Sequence, residues 1–345
     1  MDKVVYILGA GFSAPLGLPV MSNFIFKAKD MYFKSPKQYG YFQDVFHLLN
    51  QMSVIKNYFK SDLFNIEETL SILEMNDYLS EKSQTDLFTR FLSDVIQYYT
   101  PTIPEYREGL PSNWYDWIFG TNSMYAPYGF FLANVLNLSV DRKDNGTILI
   151  NRQEQLIKSQ YSIITLNYDL VLENMLDHLR NNYDVVDTVG FRDSQSNTTF
   201  PVYLAKLHGC VDKGSIVPPT WNKSSNEELR GTWTLAKNLL KEANHIRILG
   251  YSLPQTDSYM KYLFKSAMYE SEHLKSVDVI TLDQDGTVKR RYDEFIYFNY
   301  YNFKHGNIVD YLSQIREVFQ KSKSGFPEFV RYDHLEVAHE AFMSK

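Results

Sequence analysis

Residues 4–14 read VVYILGAGFSA, an apolar run that ends at a turn containing two glycines. The run is rich in β-branched residues and predicts a buried strand. The turn has the spacing found after the first strand of dinucleotide-binding domains, with Ala14 at the third glycine position. One glycine tightens such a turn, and the next lets the backbone approach a pyrophosphate. Glycine turns after strands are common, so the motif alone only favours nucleotide binding.

Four further apolar runs resemble the first one. They are residues 161–166 (YSIITL), 202–207 (VYLAKL), 245–249 (HIRIL) and 277–282 (VDVITL), with weaker candidates at 185–189 and 295–299. Continuous apolar character predicts strands that are covered on both faces, as in a parallel sheet. Helical patterns alternate with these runs, at residues 169–181, 257–269 and 307–319. The predicted fold class is therefore α/β, a Rossmann-like doubly wound parallel sheet.

One long region breaks this alternation. Residues 36–139 contain no convincing strand and show three helical patterns, at 43–50, 66–79 and 86–98. This is too long for a crossover connection, so we interpret it as a large helical insertion. The predicted organisation is a discontinuous α/β domain of residues 1–35 and 140–320, the insertion of residues 36–139, and a C-terminal helical tail of residues 321–345 with a short helix at 333–342.

Composition excludes several classes of protein. The formal charge of −6 gives no global electrostatic reason to bind nucleic acid, and no direct nucleic-acid binding is expected. Cys210 is the one cysteine, so a disulfide framework or a four-cysteine zinc site cannot form within the chain, and no metal is expected. With no signal peptide and no long apolar stretch, we expect a cytoplasmic protein without a membrane segment.

The aromatic content of 15% is high and has two explanations. It either fills the core or covers surfaces between subunits, because Tyr and Phe are enriched at interfaces. We expect the insertion and the tail to make subunit contacts, and the protein to form a tetramer or a larger homo-oligomer.

Polar motifs follow the later strands. They are residues 165–169 (TLNYD), 207–209 (LHG) and 250–257 (GYSLPQTD). Ligands in doubly wound sheets bind at the carboxyl edge of the strands, so these motifs are expected to lie close together. Each also has a structural explanation: Asn167 as a turn residue, Asp169 as a helix cap, His208 as a satisfied buried imidazole, and Ser252 as a residue that shapes its turn.

Taken in order, the motifs GAGxS, TxNxD, LHG and GxS resemble the sirtuin family. The closer resemblance is to its bacterial branch of sirtuin-like NADases, which includes antiphage defence effectors, and it extends to GYSLPQTD and to residues 217–223 (VPPTWNK). It covers residues 4–18 and about 162–283. Two departures argue against a protein deacylase: the single cysteine, and residues 19–22 (PVMS) where deacylases carry a Phe-Arg pair.

The resemblance implies an NAD+ site and a set of roles. The cofactor-binding positions would be Gly9, Ala10, Gly11, Ser13, Pro19, Asp169, Ser252 and Asp283. Asn167 would position the ribose or the attacking water, and His208 would act as general base on the nicotinamide ribose. The implied reaction is hydrolysis of NAD+, as substrate, to nicotinamide and ADP-ribose.

The resemblance also implies a context for that reaction. An enzyme that depletes NAD+ endangers its own cell, so it should stay inactive until triggered. By analogy, a HerA-like nucleic-acid-translocating ATPase or an Argonaute-type protein would be its partner. Two alternatives remain open: a module that senses NAD or an ADP-ribose derivative without cleaving it, and an NAD-dependent protein deacylase.

Overall fold

The computed structural model describes residues 1–80, 83–104, 114–120, 124–144, 146–152, 159–195, 198–212, 215–216, 227–255, 257–321 and 334–345. The strands are β1 (Asp2–Leu8), β2 (Leu138–Arg142), β3 (Ile148–Arg152), β4 (Ser159–Thr165), β5 (Asp184–Val185), β6 (Phe191–Arg192), β7 (Val202–Lys206), β8 (Gly209–Cys210), β9 (Ser215–Ile216), β10 (His245–Leu249), β11 (Ser276–Thr281) and β12 (Tyr301–His305). The α-helices are α1 (Ala10–Ser13), α2 (Phe24–Lys34), α3 (Phe42–Met52), α4 (Ile66–Ser80), α5 (Gln84–Tyr99), α6 (Tyr125–Val135), α7 (Val171–Asn182), α8 (Glu227–Lys241), α9 (Ser258–Met268), α10 (Thr287–Asp293), α11 (Ile308–Lys321) and α12 (His334–Met343). Three short 3₁₀ helices are Ala14–Leu16, Ser53–Asn57 and Trp114–Asp116.

Seven parallel strands form the main sheet, in the order β12-β11-β10-β1-β4-β7-β6. All five predicted strands belong to it. The chain moves from β1 through β4 to β7 on one side and then returns to place β10, β11 and β12 on the other side of β1. The direction of winding therefore reverses between β1 and β10, which is where doubly wound sheets bind ligands.

Helices cover both faces of this sheet. Val4, Tyr6 and Leu8 of β1 pack into one core with the helices α2 to α7, α11 and α12. Val5 and Ile7 of the same strand pack into a second core with α8, α9 and α10. Both faces of the strand are buried, as its continuous apolar sequence predicts. The predicted fold class, a doubly wound α/β sheet, is confirmed.

The region between β1 and β4 is mainly helical, as predicted, and α3, α4 and α5 lie at the predicted positions. Helix α6 has no counterpart among the predicted helices. Ten of its eleven residues, from Ala126 to Val135, are buried, so its sequence is apolar all round and carries almost no helical period. Strands β2 and β3 were also missed; they pair antiparallel and, with β5, form a separate three-stranded sheet.

Two weaker strand predictions need correction. Residues 295–299 are not a strand, because the amides of Phe295 and Ile296 donate to the carbonyl of Tyr292 and extend the end of α10 as turns. The edge strand of the main sheet on that side is β12, a few residues later. Within residues 185–189 only Val185 is in a strand, and that strand, β5, belongs to the small sheet.

The predicted tail helix is present as α12, and a buried ion pair fixes it to the sheet. Arg247, in the middle of β10, places Nη2 2.5 Å and Nη1 3.1 Å from the two carboxylate oxygens of Glu336. The hydroxyl of Tyr161 donates to the same carboxylate at 2.8 Å, and Arg247 donates to the hydroxyl of Tyr6 at 2.8 Å. The last helix is thus an integral layer of the fold. In the described ranges no helix is long and apolar enough to cross a membrane.

Candidate active site

A cavity of about 720 Å³ lies at the carboxyl edge of the main sheet. Segments that follow β1, β4, β7, β10 and β11 line it, so it spans the point where the winding reverses. Most of the predicted site residues are in its lining, namely Ala10, Gly11, Ser13, Pro19, Asn167, Asp169, His208 and Ser252. Gly9 and Asp283 are outside that lining. The fold therefore brings together motifs that are about 240 residues apart in the chain.

The glycines of the first turn pack against the turn that follows β10. The amide of Gly11 donates to the carbonyl of Gly250 at 2.8 Å. A Cβ on Gly9 would lie 2.6 Å from the Cα of Tyr251, and a Cβ on Gly11 would lie 2.8 Å from the oxygen of Gly250. Gly250 itself has a φ of +65°, which favours glycine. At Gly11 the small residue is needed for contact between two turns, and its amide is already engaged within the protein.

We therefore expect Gly11→Val to destabilise the fold rather than selectively weaken ligand binding. Its Cβ would meet backbone atoms of Gly250 on the opposite turn, at 2.8 and 2.9 Å, and backbone cannot rotate away as a side chain can. Overpacking of this kind costs about 1–3 kcal/mol. Urea unfolding measures it. Gly231→Ala on α8 is the matched control, since its Cβ would be at least 3.5 Å from its neighbours; equal stability of the two variants would refute the packing explanation.

Asn167 connects the end of β4 to the glycine turn. Its side-chain nitrogen donates to the carbonyl of Gly9 at 3.0 Å and to the hydroxyl of Ser13 at 3.1 Å. Its own amide donates to the hydroxyl of Thr165 at 3.1 Å. Both hydrogens of the side-chain amide are thereby used inside the protein. The acceptor oxygen of Asn167 is then the atom suited to a ribose hydroxyl or a water in the cavity.

Asp169 is buried behind the same turn. Its Oδ1 accepts the amide of Val171, which helps to start α7, although the helix begins two residues later than predicted. Burial raises the pKa of the Asp169 carboxyl, while the charge of Lys206 and a hydrogen bond from Ser13 work to lower it. Lys206 donates to the carbonyl of Asp169 and, at 2.8 Å, to Glu173. These contacts fix the loop after β4 against β7, the strand that leads to His208.

His208 is 2% exposed and lines the cavity at the end of β7. Its ring packs near two aromatic rings, with centroids 5.8 Å from Tyr168 and 6.5 Å from Trp233. The indole nitrogen of Trp233 donates to the carbonyl of Leu207 at 3.0 Å, which holds the neighbouring backbone. The imidazole is thus oriented by packing at the place where the sequence predicts a general base.

The opposite end of the cavity differs from the prediction in one residue. Ser252 is exposed in the lining, and its carbonyl accepts a hydrogen bond from Arg291 at 3.3 Å. Asp283 does not line the cavity: its carboxylate accepts the amides of Val288 and Lys289 at 3.0 and 2.9 Å and holds the start of α10. Leu282 and Arg291 occupy this end of the cavity instead.

Sequence reasoning missed the residues that the insertion contributes. Asn65, Ile66 and Glu67, at the start of α4, line the cavity together with the sheet-edge loops. The period of α4 predicts a helix but not the surface on which its first turn docks. The acidic first turn, with Glu67 and Glu68, was the one available signal, and it is equally typical of any helix start. Among the described residues, no group of three or more His, Cys, Asp or Glu side chains could hold a metal ion.

The sheet order, the reversal of winding and the cavity at that point define a doubly wound α/β protein of the kind that binds ligands at its carboxyl edge. Residues 161–306 match the family model of the SIR2-like domain. This range begins in β4 and ends just after β12. Strand β1 and its glycine turn precede the matched range and lie between β4 and β10 in the same sheet.

Three solved structures are also similar to the chain. A Sir2 bound to the inhibitor EX-527, 2′-O-acetyl-ADP-ribose and a deacetylated p53 peptide shares 11% identity, with a TM-score of 0.37 and coverage of 91% of this chain and 93% of that one. A sirtuin from work on substrate affinity has 11% identity, a TM-score of 0.37 and coverage of 91% and 92%. A Sir2–p53 peptide–NAD+ complex has 11% identity, a TM-score of 0.39 and coverage of 93% and 94%. No curated protein sequence matches the chain.

Proposed function

We propose that this protein is an NAD+ glycohydrolase that releases nicotinamide and leaves ADP-ribose. The observation that carries the proposal is the meeting of Asn167, His208 and the glycine turn after β1 in one cavity at the reversal point of the sheet. The SIR2-like match over residues 161–306 supports an NAD-related function for that cavity. NAD+ is the substrate in this proposal, and no metal takes part in it.

The length of the cavity suits a dinucleotide. Its lining runs from the segment after β11 to the segment after β7, four strand intervals or about 19 Å along the sheet edge. Arg291 and Ser252 lie at one end, where a cation and a hydroxyl suit a phosphate. Asn167 and His208 lie at the other end, where they would meet the nicotinamide ribose. A phosphate and the nicotinamide ribose would thus lie apart along the cavity, as they do along NAD+.

The proposed chemistry breaks a glycosidic bond to a cationic leaving group. The bond between the ribose C1′ and the nicotinamide nitrogen breaks through an oxocarbenium-like transition state, and the electron pair leaves with neutral nicotinamide. Water then adds to C1′. The oxygen of Asn167 would hold the ribose or that water, and His208 would accept its proton, directly or through a ribose hydroxyl. No step needs a reactant other than NAD+ and water.

Peptide dependence separates this proposal from a protein deacylase. We expect the full chain to release nicotinamide from NAD+ at the same rate with and without an acetylated peptide. The single cysteine of the chain is consistent with that, because the four-cysteine zinc ribbon of deacylases cannot form. Release that required the peptide would favour the deacylase. NAD+ that was bound but recovered intact would leave a sensor or an enzyme that has not been triggered.

We also propose that the enzyme is held inactive until triggered, as an antiphage effector, and that its trigger acts through self-assembly or through an ATPase or Argonaute-type partner. The motif resemblance supports this context. The surface of α2 and the insertion is suited to subunit contacts, since Phe26 and Phe64 stack with ring centroids 6.2 Å apart while 62% and 47% exposed.

Assembly through this surface gives a direct prediction. We expect light scattering at micromolar concentration to show a tetramer or a larger assembly, and Phe26→Ser to reduce the assembled fraction. Tyr297→Ser is the control, because that side chain is fully exposed after α10, far from the insertion in the sequence. A monomeric wild-type protein would contradict the proposal.

A further inference from the structure

The helical insertion places one carboxylate in the lining of the cavity. Glu67 is in the first turn of α4, and the side chain of Asn65 caps this turn by accepting the amides of Glu67 and Glu68 at 3.0 and 3.2 Å. The amide of Ile66 lies 3.1 Å from the sulfur of Met21, in the loop after the glycine turn. The position of Glu67 over the cavity is therefore set by contacts on both sides.

The charge of Glu67 acts on two tyrosines that line the cavity, Tyr168 after β4 and Tyr251 after β10. After burial, Glu67 is the largest cause of the raised pKa of Tyr168, and it also contributes to the raised pKa of Tyr251. The Tyr168 ring in turn lies 5.8 Å from the ring of His208. Tyr168 therefore lies near both the Glu67 carboxylate and the ring of His208.

The other two carboxylates in the lining shape local backbone. Asp169 accepts the amide of Val171 at the start of α7. Asp257 accepts the amide of Met260 at the start of α9 and the hydroxyl of Tyr251 at 2.7 Å. Both belong to the sheet-edge loops, whereas Glu67 comes from the insertion and lines the same cavity.

We propose that Glu67 is a specificity-determining residue that recognises the positive charge of the oxidised nicotinamide ring. This rests on the proposed function and goes beyond it, since it gives the insertion a part in the site. A carboxylate at this position favours a cationic pyridinium over the neutral dihydropyridine of NADH.

The test measures binding, so that it does not depend on turnover. The probes are carba-NAD+, a cationic analogue whose ring-ribose bond resists hydrolysis, and NADH. We expect Glu67→Gln to weaken the binding of carba-NAD+ about tenfold and that of NADH less than about twofold, because only the cationic ring is attracted to the carboxylate. The preference of the wild type for carba-NAD+ should also fall as salt is raised.

Glu68→Gln is the matched control. Glu68 is the next residue in the same turn, but its carboxylate accepts the hydroxyl of Ser61 and the amide of Asp62 outside the cavity. Both variants remove one charge from the same helix start, and melting temperatures measured beside binding show that each variant is folded. Equal weakening of both probes in Glu67→Gln, or no weakening, would overturn the inference alone. A wild-type protein that binds neither probe would overturn the proposed function and the inference with it.

Discussion

Replacement of His208 by alanine is expected to lower the rate of nicotinamide release by about 10²–10⁴-fold, the usual contribution of a positioned proton-transfer group. Affinity for NAD+ should change little, because the other proposed cofactor-binding positions, at the glycine turn after β1 and at Ser252, are unchanged. Turnover and NAD+ binding are measured on the same preparations. The paired result separates a general base from a residue that only contributes to binding.

His208 is also packed in the core, so a second variant is needed to separate lost catalysis from lost stability. The ring is buried near Tyr168 and Trp233, so His208→Ala also leaves a cavity and lowers the melting temperature. His208→Gln keeps more of the volume and should be equally inactive while melting closer to the wild type. His273→Ala, at an exposed site, should retain full activity. Activity in His208→Ala that fell only in proportion to folded protein would support the structural explanation of this residue.

Replacement of Glu336 by alanine is expected to have the largest effect on stability, about 3–5 kcal/mol. The guanidinium of Arg247 is 4% exposed, and its two hydrogen bonds to Glu336 provide the charge that compensates its burial. Removal of the carboxylate leaves that cation in the core of the sheet. Urea unfolding measures the loss. Glu340→Ala, on the exposed side of the same helix, should change the free energy of unfolding by less than about 0.5 kcal/mol.

The stabilisation by Glu336 should depend on pH with a defined sign. Burial acts to raise the pKa of Glu336, but the charge and hydrogen bonds of Arg247 outweigh it and hold the pKa below its ordinary value. A carboxylate with a lowered folded-state pKa stabilises the fold above its ordinary pKa and loses that contribution as pH falls through the lowered value. The difference between wild type and Glu336→Ala should therefore shrink in acid. A difference that grew there would contradict the ion pair.

The elements that sequence predicted well are those whose burial leaves a periodic or continuous pattern. Residues 4–8 and 245–249 are buried on both faces, and their apolar runs locate β1 and β10 within two residues. Helix α6 is buried on nearly every side, so it has no polar face to reveal a helical period. Arg247 in β10 gave no sign of its partner, because Glu336 comes from a helix 89 residues later.

The residues of the candidate site also fall into those that the sequence could predict and those that it could not. Asn167 and His208 follow predicted strands, and the parallel sheet brings the ends of those strands to one edge, so their meeting could be predicted. Asp283 also follows a strand, but a competing local use, the start of α10, takes its carboxylate. Glu67 follows no strand. Its place in the cavity depends on how the insertion packs, which no local pattern specifies.

The most direct test of the central claim is the stoichiometry of NAD+ cleavage in ¹⁸O-labelled water. The purified full chain is incubated with NAD+ and no peptide, and nicotinamide and ADP-ribose are quantified by mass spectrometry. Hydrolysis by water predicts equal amounts of the two products and one ¹⁸O at C1′ of the ADP-ribose. Nicotinamide released without an equal amount of labelled ADP-ribose would contradict hydrolysis.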